Sequence, residues 1–294
     1  GIDETVPAMT IDTQCCAGMD AMMLAVDAIK VGRAKHVLAG GVESFSRAPI
    51  RMHRGVNPGD EHVPYDRPPF SPWTDRDPDM LVAAAALASM HNLPRADQEA
   101  FAIGSHDKAR AAIIKHAFPE EIVTINGTSR DEFTRKLSPK LCERLPALAG
   151  SSPHDITTAT TAVEADAAAF VTLSSAVDAS GHVIKVRDCL SYGGDPAMPG
   201  LVPVDAARLL LKRNQLQPHD LSCIEIMEAF ASQAMVFVNA LQLQSSMVNI
   251  SGGALARGHP IGASGAILVV RLVHELRRSA PGSIGLAAIA GAGG

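Results

Sequence analysis

Asn249-Ile-Ser-Gly-Gly-Ala-Leu-Ala-Arg-Gly-His-Pro-Ile-Gly-Ala-Ser-Gly265 is the most informative stretch of the chain. It reads as a glycine-rich loop that carries one imidazole to the start of a helix. Its glycines permit positive φ and close backbone approach, and Pro260 stiffens the turn after His259. A lone histidine is usually structural or solvent-exposed, but this loop is built for exposure, so His259 reads as catalytic. Val248–Ile250 leads into the loop, and a helix is expected from its end to about Arg278. Pro281-Gly282 then turns the chain into a closing strand over Ile284–Ala290. Elements in this order point to the α/β class.

Outward from this stretch, the opening of the chain loosely mirrors its end. Val6–Ile11 reads as a short strand and Gln14–Gly18 as a small-residue turn. Ala17–Val31 carries apolar residues at helical spacing (Met19, Met22, Met23, Val26, Ile29), and His36–Ala39 reads as a strand closing on Gly40-Gly41. A right-handed crossover would make the two strands a parallel pair. Cys15 falls between strand and helix. Unpaired N–H groups and the positive end of a helix dipole favour thiolate there. The alternative is that Cys15 and Cys16 are small apolar core residues, as free cysteines often are.

The middle is less regular. Arg47–Pro78 is rich in Pro, Gly, Asp and Arg, holds Trp73, and reads as a long surface excursion of the kind that builds binding sites. Arg51, Arg54 and Arg67 in it suit phosphates, or are solvated surface charge. Asp75, Asp77 and Asp79 lack metal-binding spacing. Helices are expected over Met80–Met90, from Pro94 to about Lys115, over Pro203–Asn214 and over Ala229–Leu241. Strands are expected at Glu121–Ile125, Ala167–Leu173, Val183–Asp188 and Ile224–Glu228, with an irregular polar stretch over Thr128–Pro153.

Composition narrows the function classes. The 294 residues are 47% hydrophobic, 4% aromatic and 19% charged, with Ala and Gly supplying much of the apolar share. Such a core packs backbone close to backbone. A net charge of -5 argues against nucleic-acid binding. Five cysteines without a C-x-x-C pair indicate free thiols in a reducing, cytoplasmic setting, with no metal site. No run reaches the ~18 apolar residues of a membrane span, so no membrane role is expected. No signal segment opens the chain, although its start at Gly1 and its end on Gly-Ala-Gly-Gly both read as cut.

Four segments together resemble the thiolases, the acyl-CoA:acetyl-CoA C-acyltransferases. Val6-Pro-Ala-Met-Thr-Ile with Cys15-Cys-Ala-Gly is similar to the segment around the thiolase nucleophile. Ala39-Gly-Gly-Val-Glu-Ser-Phe-Ser-Arg-Ala-Pro49 is similar to the strand and turn after it. Glu228-Ala-Phe-Ala-Ser-Gln233 resembles the Asn-Glu-Ala-Phe motif, and Asn249–Gly265 fits the glycine–histidine signature throughout. The resemblance covers nearly the whole chain, more loosely over Arg51–Val171. Family members carry a further N-terminal segment, so the first half reads as incomplete at its start.

The resemblance implies two similar α/β halves with layered α-β-α-β-α packing and a surface loop domain. The halves are expected at residues 1–170, including the excursion 47–155, and 171–294. It implies that Cys15 takes an acyl group from acetyl-CoA or another acyl-CoA, with His259 accepting the thiol proton. The backbone N–H groups of Cys15 and Ala292 would hold the acyl oxyanion. Met80, Ala162 and Ser264 fall at substrate-binding positions, with a core role the alternative for Met80. No cofactor is implied, CoA thioester being the substrate, and a homodimer or homotetramer is expected.

Three departures accompany it. Ala290 stands where the family has a second catalytic cysteine, and Met227 where an Asn anchors the water that stabilises the enolate. Ala162 and Val163 replace Ser and Gly in the CoA-contacting loop. The groups for acylating Cys15 are kept, while those for making an enolate are replaced. His154, Glu228 and Cys223 are candidates to replace the missing thiol. Other readings are a thioester hydrolase that keeps only the acylation step and a non-catalytic assembly subunit.

Overall fold

The structure, a computed structural model, describes residues 2–115, 117–118, 120–175 and 183–294. Helix α1 (Ala17–Lys30) follows a 3-10 turn over Gln14–Cys16 and leads to β1 (His36–Ser44). The excursion holds a two-residue hairpin, β2 (Met52–His53) with β3 (Val63–Pro64). Helices α2 (Met80–Met90), α3 (Arg95–Ile114) and the single turn α4 (Pro139–Cys142) follow. Then come β4 (Ala147–Ala149), β5 (Ile156–Thr157) and β6 (Asp166–Ser174). The second half has α5 (Val202–Arg213), β7 (Cys223–Ile226), α6 (Ala231–Ala240), α7 (Ala254–Arg257), α8 (Ile261–Arg278) and β8 (Gly285–Ala288). The expected helices form within a residue or two of their expected bounds, except that α8 begins at Ile261, four residues inside the expected loop. Asp79 starts α2 by accepting from the N–H groups of Leu81 and Val82.

Two sheets flank α8. β1 pairs antiparallel with β6 over nine residues, Val37 opposite Leu173 and Gly41 opposite Ala169. β7 pairs parallel with β8, Ile224 opposite Leu286. Helix α8 packs against both sheets and against α1. Alternation on the strands sorts the layers. Val37, Ala39, Ala169, Val171 and Leu173 face Met22 and Ala25 of α1 and Ala266 of α8. Ile224 and Ile226 face the main core with Val204 and Leu211 of α5, Phe237 of α6 and Leu87 of α2. Glu225, between them, lies within electrostatic reach of Arg271 and Glu275 on α8, and burial lifts its carboxyl to about 7. Leu38, Val42 and Phe170 on the far face of the first sheet are exposed.

Some strand expectations fail. Val6–Ile11 makes no ladder among the described residues, and residues 6–10 are exposed. A short apolar run is not a strand until neighbours take its N–H and C=O groups. The expected parallel pair with His36–Ala39 is therefore absent. β1 instead runs on through Gly40-Gly41 to Ser44. Glu121–Ile125 forms one bridge, Ile125 to Thr128, and Val183–Asp188 is irregular. Val248 makes only a single parallel bridge, to Ile224. There Asn249, at φ 43, leaves the ladder, and its carboxamide stands in for backbone. Its Oδ1 accepts from Ile226 N–H at 2.8 Å, and its Nδ2 donates to Ile226 C=O at 3.1 Å.

Candidate active site

Cys15 and His259 are 244 positions apart and meet where α1 crosses α8. The crossing is as close as small residues allow. A Cβ on Gly265 would lie 2.6 Å from the Met19 N, and one on Gly18 would lie 2.8 Å from the Ala266 N. Each helix thereby presents its N-terminal end to the same point. Cys15 sits in the 3-10 turn ahead of α1. Gln14 before it adopts φ 59, held by Asp12 Oδ1 on its N–H at 2.9 Å. Such a conformation costs a non-glycine residue about 1–3 kcal/mol.

His259 follows Gly258, which takes φ 103. The His259 N–H donates to Val163 C=O at 2.6 Å, and residue 259 bridges Glu164. Its Nε2 lies 3.3 Å from Cys15 Sγ, and its Nδ1 lies 2.7 Å from Ser264 Oγ. The Ser264 hydroxyl gives its one proton to Pro260 C=O at 2.9 Å. It therefore accepts at Nδ1, which fixes the Nδ1–H tautomer and leaves the Nε2 lone pair facing the thiol. Ser264, expected to bind substrate, is instead buried behind His259: helical geometry turns it back onto the ring.

Electrostatics reverse another expectation. Burial pushes the Cys15 thiol up to about 11, outweighing the N–H groups of Cys15 and Ala292, which converge on the sulfur and pull the other way. Burial depresses His259 to about 4. The resting pair is a neutral thiol beside a neutral imidazole, not the thiolate that a helix N-terminus alone suggests. The nearby Glu43 carboxylate also opposes a thiolate, and it accepts from Gly262 N–H at 3.0 Å at the start of α8.

Both side chains open into a cavity of about 2080 Å³. Met227, Ala229, Phe230, Ala290, Gly291 and Ala292 line it beside them, as do Met80 and Ala162. Ala290 and Met227 thus face the same space as Cys15. The suggested replacements do not reach it. Glu228 is buried and turned away, its Oε2 accepting from Ser105 Oγ at 2.7 Å and its Oε1 from Asn249 Nδ2 at 2.6 Å. His154 faces Asn92 Oδ1 at 3.1 Å, and Cys223 is buried at the start of β7. The Ser105–Glu228–Asn249 cluster, which sequence reasoning missed, also takes the N–H groups of Gly253 and Leu255, holding the histidine loop against α3. Arg67 is committed to Asp77 at 3.1 Å, and Asp79 caps α2. Among the described residues no group of three His, Cys, Asp or Glu could hold a metal ion.

Comparison with known families decides the relationship. The description "Thiolase, N-terminal domain" fits residues 1–176, and "Thiolase, C-terminal domain" fits residues 181–294. The chain belongs to the thiolase family. This thiolase is 36% identical over 286 residues to a protein named putative acetyl-CoA C-acetyltransferase VraB from Staphylococcus haemolyticus, spanning 93% of this chain and 74% of that protein. Among solved structures it is similar to the Acat5 thiolase of Ascaris suum in complex with coenzyme A. There the TM-score is 0.88 and the identity 32%, covering all of this chain and 78% of that one. The dimeric peroxisomal thiolase of Saccharomyces cerevisiae gives a TM-score of 0.85 at 26% identity, with 100% and 76% covered. The α/β, thiolase-like fold stands on these likenesses. No helix among the described residues is long and apolar enough to cross a membrane.

Proposed function

We propose that this thiolase is an acyltransferase that moves acetyl or acyl groups between CoA thioesters through an acyl-enzyme on Cys15. The observation that carries the proposal is the 3.3 Å approach of His259 Nε2 to Cys15 Sγ, with the tautomer fixed by Ser264. As the sulfur attacks the thioester carbon, the S–H proton passes to Nε2. The CoA sulfur then leaves with that proton. The N–H groups of Cys15 and Ala292 stabilise the charge on the acyl oxygen. Because the resting pair is neutral, proton transfer accompanies attack rather than preceding it.

The carbon–carbon bond step departs from the family route. Ala290 cannot move a proton, and the Met227 thioether is a poor anchor for water. Loss of a general acid or base costs ~10²–10⁴-fold in rate. Loss of an oxyanion donor costs ~10²–10³-fold. Condensation and thiolysis by that route are therefore expected to be severely weakened, with acylation retained. We further read two halves, 1–170 and 171–294, a homodimer or homotetramer, and a reducing cytoplasmic setting that suits five free thiols.

Incubation with acetyl-CoA followed by intact-mass measurement and peptide mapping tests this. An acetyl group on Cys15 is expected. Its absence sinks the acyl-enzyme, and rapid turnover of acetoacetyl-CoA sinks the weakened bond-forming step.

A further inference from the structure

We propose that Glu164 is the acid–base group for the α-carbon of the acetyl thioester, in place of a second thiol. The proposal rests on the acyl-enzyme reading above. Residues 160–164 run along the site as a strip, of which Thr161, Ala162 and Glu164 line its cavity. Thr160 C=O accepts from Ala231 N–H and Ala162 N–H donates to Ala229 C=O, each at 2.9 Å, while Val163 C=O holds His259 N–H. One end of the strip is tied beside Met227, the other beside the catalytic base. Glu164 is the parallel bridge partner of His259. Bridged residues lie about 4.8 Å apart and send their side chains to the same face. Glu164 and His259 both line the cavity that holds Cys15 and Ala290.

Glu164 is also available. Among the carboxylates lining the cavity, Asp3, Asp12, Glu43 and Asp79 accept from nearby N–H groups. Asp66 lies out on the excursion. Among the described residues the Glu164 carboxylate has no hydrogen bond or ion pair. Glu164 is exposed, and such desolvation as it has raises its pKa. The other nearby thiol, Cys16, does not line the cavity; its Sγ lies against Gly291, 3.2 Å from where a Cβ on that residue would be.

The step balances without a further reactant. Glu164 carboxylate removes the α-proton of acetyl-CoA, leaving an enolate and a carboxylic acid. The enolate carbon bonds to the acyl carbon on Cys15, the carbon–sulfur bond breaks, and the released sulfur takes the proton from Glu164. Thiolysis is the reverse.

The test is exchange of the acetyl-CoA methyl protons with deuterated water, read by mass spectrometry beside acetylation of Cys15. Exchange is expected in the native enzyme. It should fall by ~10²-fold or more in Glu164→Gln and be partly kept in Glu164→Asp, the exchange in each being expressed relative to that variant's own acetylation of Cys15. Undiminished exchange in Glu164→Gln overturns the proposal. So does an acetylated native enzyme that exchanges nothing, or an exchange that falls in the variants only in step with their acetylation. A native enzyme that is never acetylated fails at the acyl-enzyme reading and takes this proposal with it.

Discussion

At the residue scale, one hydroxyl decides which face of the imidazole is basic. Removing it in Ser264→Ala leaves Nδ1 without its acceptor and frees the tautomer. Acetylation of Cys15 is expected to slow by about 10-fold, consistent with ~1–1.5 kcal/mol for a lost hydrogen bond, with little change in acetyl-CoA binding. The pH profile carries a second signature. Protonating His259 removes the base, and its pKa is depressed to about 4. Acetylation should therefore stay level as pH falls through 6.5 and decline only near 4, as rapid-quench measurement of the adduct would show. Loss centred near 6.5 contradicts the buried neutral pair. That Cys15 and His259 meet was legible through the family resemblance that their glycine- and alanine-rich segments carry. Their protonation states were not, since burial, which sets both, is created by distant segments. The turn of Ser264 onto His259 is not legible in the sequence, because position alone does not say which way a helical side chain points.

At the element scale, the site depends on the fit of α1 against α8. Gly265→Ala places a methyl 2.6 Å from the Met19 N, a backbone atom that cannot step aside alone. The helices must part, at an overpacking cost of about 1–3 kcal/mol. The expected result is a lower thermal midpoint together with a drop in Cys15 acetylation, measured well below that midpoint so that lost folding does not account for it. Normal acetylation in a destabilised Gly265→Ala protein would show that the crossing does not set the sulfur–nitrogen distance. Helices were legible because their signal is local, apolar spacing in α1 and α5 and alanine content in α2. Strands were less so. Val6–Ile11 and Val183–Asp188 have strand composition without a ladder, and β1 found its partner in β6, over a hundred residues away. Pairing of that kind is a property of the assembled chain.

At the scale of the whole molecule, the segments that match the N- and C-terminal thiolase domains share a layer. Helix α8 lies in the second, 181–294, yet it packs on β1 and β6 of the first, 1–176. Unfolding of one half should therefore expose the other. Cys142 and Cys223 lie on either side of the division, and both are buried. In urea, their thiols are expected to become reactive with one shared midpoint, followed by mass-resolved alkylation. Separate midpoints would mean that each half has its own stability. The composition anticipated this arrangement in kind, since Ala and Gly allow layers to sit close, but not in place. Which glycines meet which backbone depends on a crossing between segments far apart in sequence.

The joint between α1 and α8 also separates two design problems. The spacing of nucleophile and base is set where α1 meets α8, whereas part of the pocket wall comes from the 47–78 excursion and α2, outside that joint. An engineer can redraw the wall to admit a different acyl chain while leaving the reactive pair untouched.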